Sequence, residues 1–220
     1  MNEIVALPPA FLVFGGAIFL SAVGTIVCEE RGWQRGVYLF KPLTTGLILA
    51  FASLSGDPAY RWLVCAGLVF SLFGDVFLML PRDRFVAGLV SFLVAHLLYV
   101  AAFRQGGVGF TWMLALPCAL YAALLLRVLL PRVGTLKLPV LVYALALMAM
   151  AWTAAERAAA GLPGGGLATA GATLFVVSDS ALAINRFVQP FRGAQALVLS
   201  TYFLAQTLIA LSVYIVATFG

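Results

Sequence analysis

The stretch FSLFGDVFLMLPRDRFVAGLVSFLVAHLLY, from Phe70 to Tyr99, decides the fold. Two apolar runs flank a four-residue turn, Pro81-Arg82-Asp83-Arg84, and each run is long enough to cross a bilayer as a helix. The first run carries Asp75 inside apolar sequence; the second carries His96, the only histidine of the chain. A carboxylate at the centre of a membrane helix costs roughly 2.5–3.5 kcal/mol on insertion scales, so it is expected to face a protein interior and to have a task there. A second stretch, FVVSDSALAINRF from Phe175 to Phe187, repeats the anomaly with Asp179.

The rest of the chain is built in the same way. Of its 220 residues, 64% are hydrophobic and 10% charged, and the mean hydropathy is +1.09. Soluble domains carry about 25% charged residues, so the composition predicts an all-α, polytopic membrane protein. Its apolar runs are continuous rather than alternating, which excludes a β-barrel. Eight spans are predicted, approximately Pro8–Val27, Val37–Leu54, Tyr60–Leu80, Phe85–Phe103, Thr111–Leu130, Leu138–Ala155, Leu167–Phe187 and Gly193–Ala217. At about 20 residues per span they leave no room for a soluble domain, so residues 1–220 read as a single transmembrane domain. The breakers fall between spans: Gly32 and Gly36, Ser55-Gly56-Asp57-Pro58, Pro81, Gly106-Gly107, Pro131, Gly161 to Gly166, and Pro190. The N-terminal MNEIVALPPAF has no basic segment before its apolar run and reads as a retained first helix.

A net charge of +5 does not point to nucleic acid here, because the basic residues are spread through short loops. Ten of the 13 Lys and Arg fall in the loops after spans one, three, five and seven; Arg61, Arg104 and Arg157 fall one each in the other three. The positive-inside rule puts the ten-charge side in the cytoplasm and both termini outside, as expected for a bacterial inner-membrane protein. At 1.5 Å per residue, Asp75 and Asp179 then sit roughly 8 and 12 Å from the cytoplasmic ends of their helices. A polar cavity opening to that side would hold both.

A weak internal repeat accompanies the pair. Lys41-Pro42 opens span two and Lys137-Leu138-Pro139 opens span six; Asp75 lies in span three and Asp179 in span seven; Tyr99 and Tyr202 follow the two aspartates by 24 and 23 residues. Two parallel four-helix halves would leave this pattern, with both aspartates near a shared interface.

Small residues surround the first aspartate. Gly67, Ser71, Gly74 and Asp75 share one helical face, which lets a neighbouring helix approach closely. Phe92, His96 and Tyr99 share a face of span four, and Gln195, Leu199, Tyr202 and Gln206 a face of span eight. Each of these polar groups alone would be explained by an interhelical hydrogen bond. Two aspartates are harder to explain so, because hydroxyls or amides do that task at lower cost. Paired carboxyls withdrawn from water suit acid–base chemistry, one held as acid and the other as base. No metal or other cofactor is expected: catalytic zinc uses His-rich ligand sets, and one histidine is present. No GxSxG elbow is present either, and Cys28, Cys65 and Cys118 have neither metal-ligand spacing nor a disulfide framework.

The string FSLFGDVFLML, the spacing of Phe85, Gly88, Phe92, His96 and Tyr99, the KPLTT of Lys41–Thr45 and the SDSALAINRF of Ser178–Phe187 together resemble the YhhN family over nearly the whole chain. The animal members of that family are lysoplasmalogenases. The resemblance implies hydrolysis of the vinyl ether bond of a lysophospholipid, giving a fatty aldehyde and a glycerophospho-base. It places the catalytic carboxyls at Asp75 and Asp179. A proton delivered to the β-carbon would make an oxocarbenium ion for water to capture, and Asp179, expected to be the deeper and drier, is the candidate acid. Lys41 at the mouth of the cavity is the candidate phosphate contact, and Ser71, His96, Tyr99, Ser178, Tyr202 and Gln206 complete the candidate substrate contacts. Two other classes remain open on sequence: a carrier with proton-coupled aspartates, and a packing protein whose aspartates only join helices.

Overall fold

The computed structural model describes residues 9–54, 57–81 and 84–219. The expectations placed on Met1–Pro8, on Ser55-Gly56 and on Arg82-Asp83 of the turn lie outside them. Within these residues the chain is helical, as α1 (Pro9–Glu30), α2 (Gln34–Ser53), α3 (Pro58–Met79), α4 (Phe85–Phe103), α5 (Trp112–Leu129), α6 (Lys137–Ala159), α7 (Gly165–Phe187) and α8 (Ala194–Phe219). All eight are long and apolar enough to cross a membrane. The helix starts follow local chemistry. Asp57 caps α3 by accepting the Tyr60 N–H at 3.0 Å, with Pro58 in the first turn. Gly164 enters α7 at φ +73°, with the Ser212 carbonyl oxygen 2.6 Å from where a Cβ would stand, so only glycine fits.

One expectation needs correcting. Arg157 was expected in a loop, but α6 runs on to Ala159 and buries both Glu156 and Arg157. Burial of the pair is possible because both are bonded. Glu156 meets Arg104 at 3.3 Å and also accepts the Thr111 N–H. Arg157 donates to the Gln105 and Pro163 carbonyls at 2.7 and 3.1 Å and lies 4.5 Å over the Tyr60 ring. The Tyr60 hydroxyl in turn bonds Ser212 at 2.9 Å. This network fastens α3, α4, α6 and α8 together at the end of the bundle that carries few basic residues.

Neighbouring helices pair in a pattern that repeats. α1 packs on α2, α2 on α3 and α3 on α4; α5 packs on α6, α6 on α7 and α7 on α8. The two sets of four are joined by α4 against α6 and by α2 against α8, which is the adjacency two related halves produce. α1 and α5 are the outer members, with Phe19, Leu20, Leu116 and Leu120 exposed as lipid-facing residues would be. The inner helices bury Ile48, Leu68, Tyr99, Phe103, Phe175 and Ile209 in one core.

Glycines set the spacing inside that core. A Cβ on Gly67 would lie 2.3 Å from the Tyr99 ring, and one on Gly74 2.5 Å from the Phe92 ring. α3 is therefore notched where two aromatic side chains of α4 enter, as the small-residue face predicts. In the second half, a Cβ on Gly171 of α7 would stand 2.8 Å from the Ala205 carbonyl oxygen of α8. Overpacking such a site costs about 1–3 kcal/mol. Gly67→Ala is expected to lower the thermal midpoint in detergent, whereas Gly46→Ala, which meets nothing within 4 Å, leaves it unchanged or slightly raised.

Candidate active site

Asp75 is held by three side chains from two other helices. Lys41 and Thr45, one turn apart on α2, place an ammonium 3.5 Å from Oδ1 and a hydroxyl 2.7 Å from Oδ2. Tyr202 of α8 donates to the same Oδ2 at 2.7 Å. The carboxylate is 1% exposed, so this set of donors and one cation replaces the water it has lost. One turn further along α8, Gln206 accepts the Tyr99 hydroxyl at 2.7 Å. Beside them, Ser21 and Thr44 share a 2.7 Å hydroxyl contact that joins α1 to α2.

Asp179 has a different environment. The Tyr143 hydroxyl of α6 donates to its Oδ2, and the His96 Nε2 of α4 lies 3.9 Å from that oxygen, too far for a direct hydrogen bond. His96 is fully buried, its ring packed at 4.8 and 5.1 Å against Phe175 and Tyr143, and neither ring nitrogen has a hydrogen-bond partner among the described residues. No Lys or Arg pairs with Asp179 among those residues. The Asp179 side chain is 13% exposed against 2% for Asp75, which reverses the expectation that Asp179 is the drier of the two. Lys41 and Thr45 fill the space around Asp75, whereas Asp179 opens on a crevice.

The two carboxyls do not share one pocket. No hydrogen bond or ion pair joins them among the described residues. They are linked through Tyr202, whose ring meets Phe175 at 5.5 Å, and through Phe175, whose ring meets His96. Each aspartate takes a hydroxyl from the second helix of its own half, Thr45 or Tyr143. Each also faces a side chain from the fourth helix of the other half, Tyr202 or His96.

Two chambers lie against this core at the end that carries most of the basic residues. The larger, of about 560 Å³, is lined by Glu29, Gln34, Tyr38, Lys41, Asn185 and Arg186 among others. The smaller crevice, of about 60 Å³, is apolar, walled by residues such as Leu89, Phe92, Leu125 and Leu147, with Asp179, Ser180 and Tyr143 as its polar members. Leu78, Phe85 and Leu182 line both, so the two share a wall. Lys41, two turns into α2, lines the larger chamber. Ser71, His96, Tyr99, Ser178, Tyr202 and Gln206 line neither and stand behind the walls. Ser178 bonds the Val198 carbonyl at 3.0 Å, a contact between α7 and α8. No cluster of three or more His, Cys, Asp or Glu able to hold a metal occurs among the described residues.

Thr45 and Tyr143 went unnoticed in the sequence. Thr45 follows Lys41 at i+4 and so had to share its face, but Tyr143 carried no local signal.

The site is that of a helical membrane protein with carboxyls embedded in its core. The YhhN family model matches residues 36–213, and the chain belongs to that family. It is 33% identical over 208 residues to the uncharacterized membrane protein YhhN of Escherichia coli O6:H1, covering 90% of this chain and 97% of that one. It is 40% identical over 161 residues to human lysoplasmalogenase TMEM86B, covering 72% and 66%, and 37% identical over 159 residues to bovine lysoplasmalogenase TMEM86A, covering 68% and 64%. No solved structure gives a significant match.

Removing one member of a buried ion pair costs about 3–5 kcal/mol because the other is left uncompensated. Lys41→Met is therefore expected to lower stability sharply. Adding Asp75→Asn to it restores part of the loss, as a double-mutant cycle of thermal midpoints in detergent would report.

Proposed function

We propose that the chain is an intramembrane hydrolase that opens the vinyl ether bond of lysoplasmalogen-type lipids. The observation that carries this is the pair of chambers across a shared wall. A single-chain phospholipid has a polar headgroup and an apolar chain, and its vinyl ether lies at their junction. With the headgroup in the larger chamber and only the first carbons of the chain entering the crevice of about 60 Å³, that junction comes beside the one carboxyl that faces the crevice. The names of the mammalian relatives support the same substrate class.

In this reading Asp179 is the acid, for a reason other than depth. Asp75 has a cation and two O–H donors, the surroundings an anion requires, whereas Asp179 has one phenol and apolar walls. The Asp179 proton goes to the β-carbon of the C=C–O unit, whose π electrons form the new C–H bond and leave an oxocarbenium ion. Water attacks the oxygen-bearing carbon of that ion, and the proton it gives up returns to the Asp179 carboxylate. The resulting hemiacetal collapses to a fatty aldehyde and the glycerol hydroxyl, with one water consumed. Lys41, backed by Asp75, meets the phosphate as a point charge, while His96 packs behind Asp179 and holds its side chain in place. The basic end faces the cytoplasm of a bacterial inner membrane, with both termini outside.

The exchange of partners between two halves favours one second reading, a carrier for the same class of lipid. Mass spectrometry of the detergent-purified chain with lysoplasmenylethanolamine separates the two. Aldehyde release is expected from the wild type. A loss of about 10²-fold or more is expected for Asp179→Asn with the thermal midpoint retained, and a comparable loss for Asp75→Asn. No aldehyde from folded wild type, with lipid moved across proteoliposomes, would replace the hydrolase by the carrier.

A further inference from the structure

The crevice beside Asp179 is smaller than the chain its position invites. At about 60 Å³ it takes the first carbons of a fatty chain, and the remainder has to lie elsewhere. The helices around it decide where. α6 backs the crevice with Tyr143 and Leu147 and packs on α4, α5 and α7 alike. α5 is fastened to α7 as well, because the Tyr121 hydroxyl donates to the Oγ of Ser180, the residue after Asp179, at 2.8 Å. α4 is bridged to α7 by aromatic rings, Phe85 with Phe187 at 5.5 Å and Phe92 with Phe175 at 6.2 Å. One side is left. Leu89 of α4 and Leu125 of α5 both line the crevice, yet among the described residues these two helices do not pack along one another. The neighbours that continue this side outward are apolar. Val86 and Val90 flank Leu89, Leu124 and Val128 flank Leu125, and all four are exposed. α5 buries only Ala122 and Leu129, as suits a helix that meets lipid over most of its surface.

We infer that the gap between α4 and α5 is a lateral portal to the bilayer. The hydrocarbon chain of a single-chain lipid lies in it, with the first carbons at Asp179 and the rest among the lipids outside. Continuity argues for this occupant. Leu78, Phe85 and Leu182 line both the crevice and the larger chamber, so portal, crevice and chamber form one path that passes Asp179 and changes from apolar to polar along its length. A lipid with one chain and one headgroup has the same order of parts. Entry from the side also keeps the chain in hydrocarbon throughout, whereas each methylene drawn in through the larger chamber would leave hydrocarbon for polar surroundings. The portal makes the site sensitive to bulk at the start of the chain and indifferent to its length beyond the lips at Leu89 and Leu125. Only the identity of the lipid is taken from the hydrolase reading.

Photolabelling reads occupancy apart from turnover. The full chain in phosphatidylcholine nanodiscs is irradiated with a saturated alkyl-ether lysophosphoethanolamine that carries a diazirine near mid-chain. Peptide mass spectrometry is expected to find the label at Leu89, Leu125, Val86 and Val128, and to see it fall about tenfold when unlabelled ether lysolipid is added in matching excess. Label spread evenly over other exposed faces, such as Phe19 and Leu20 of α1, overturns the portal. So does label at α4 and α5 that the excess does not displace, since those helices then meet bulk lipid only. Leu89→Trp and Leu125→Trp thicken the two lips. Each is expected to lower turnover of a long-chain relative to a short-chain lysoplasmenyl lipid by about tenfold, and a ratio unchanged in both overturns the portal as well. Displaceable label without aldehyde from any lipid leaves the portal standing and sinks the hydrolase. Aldehyde release with evenly spread label does the reverse.

Discussion

An aspartate can be kept inside a membrane protein only where the protein replaces every interaction water would have made, and around Asp75 it does so with four helices. α3 supplies the carboxyl, α2 the ammonium and one hydroxyl, and α8 the second hydroxyl; α4 enters through the notches at Gly67 and Gly74 that let the bundle close over them. The geometry of the core follows from this requirement. α2 must lie against both α3 and α8, and Tyr202 must point at the first half of the chain although it belongs to the second. Once Tyr202 is fixed, its ring sets Phe175 and Phe92, and these set the position of His96 beside Asp179.

The halves are thereby bound to one another by the polar groups that lipid would reject. In each half the third helix carries the acid and the second helix carries a hydroxyl for it, while the opposite half contributes the remaining neighbour. Either half alone would leave its aspartate facing hydrocarbon on one side. The two aspartates nevertheless end in unlike settings. Lys41, two turns into α2, reaches Asp75, whereas no cation of α6 pairs with Asp179. This one difference leaves Asp75 in an ion pair and Asp179 beside an apolar wall.

The fold was legible in the sequence because lipid imposes simple rules: run length gave the spans, glycine and proline gave the turns, and helix ends fell within a few residues of expectation. The exceptions are instructive. Arg157 looked like a loop residue because a lone basic group at the end of an apolar run ordinarily faces water, and only the carbonyls of Gln105 and Pro163 and the Tyr60 ring, distant in sequence, make its burial tolerable. Asp75 and Asp179 could be found because charge in a span is anomalous. That they occupy different surroundings could not be read, since it depends on which aromatic rings lie between them. Tyr143 stayed hidden because a tyrosine is unremarkable in a span.

The network of Arg104, Glu156, Arg157, Tyr60 and Ser212 has a consequence for traffic. It ties the sparsely charged end of the bundle together with buried charges and carbonyl bonds, whereas the larger chamber lies at the end of the basic loops. If the proposed hydrolysis takes place there, the water-soluble product would return by the way its parent came, while the apolar product would leave into lipid, so the two would be sorted by polarity as they go.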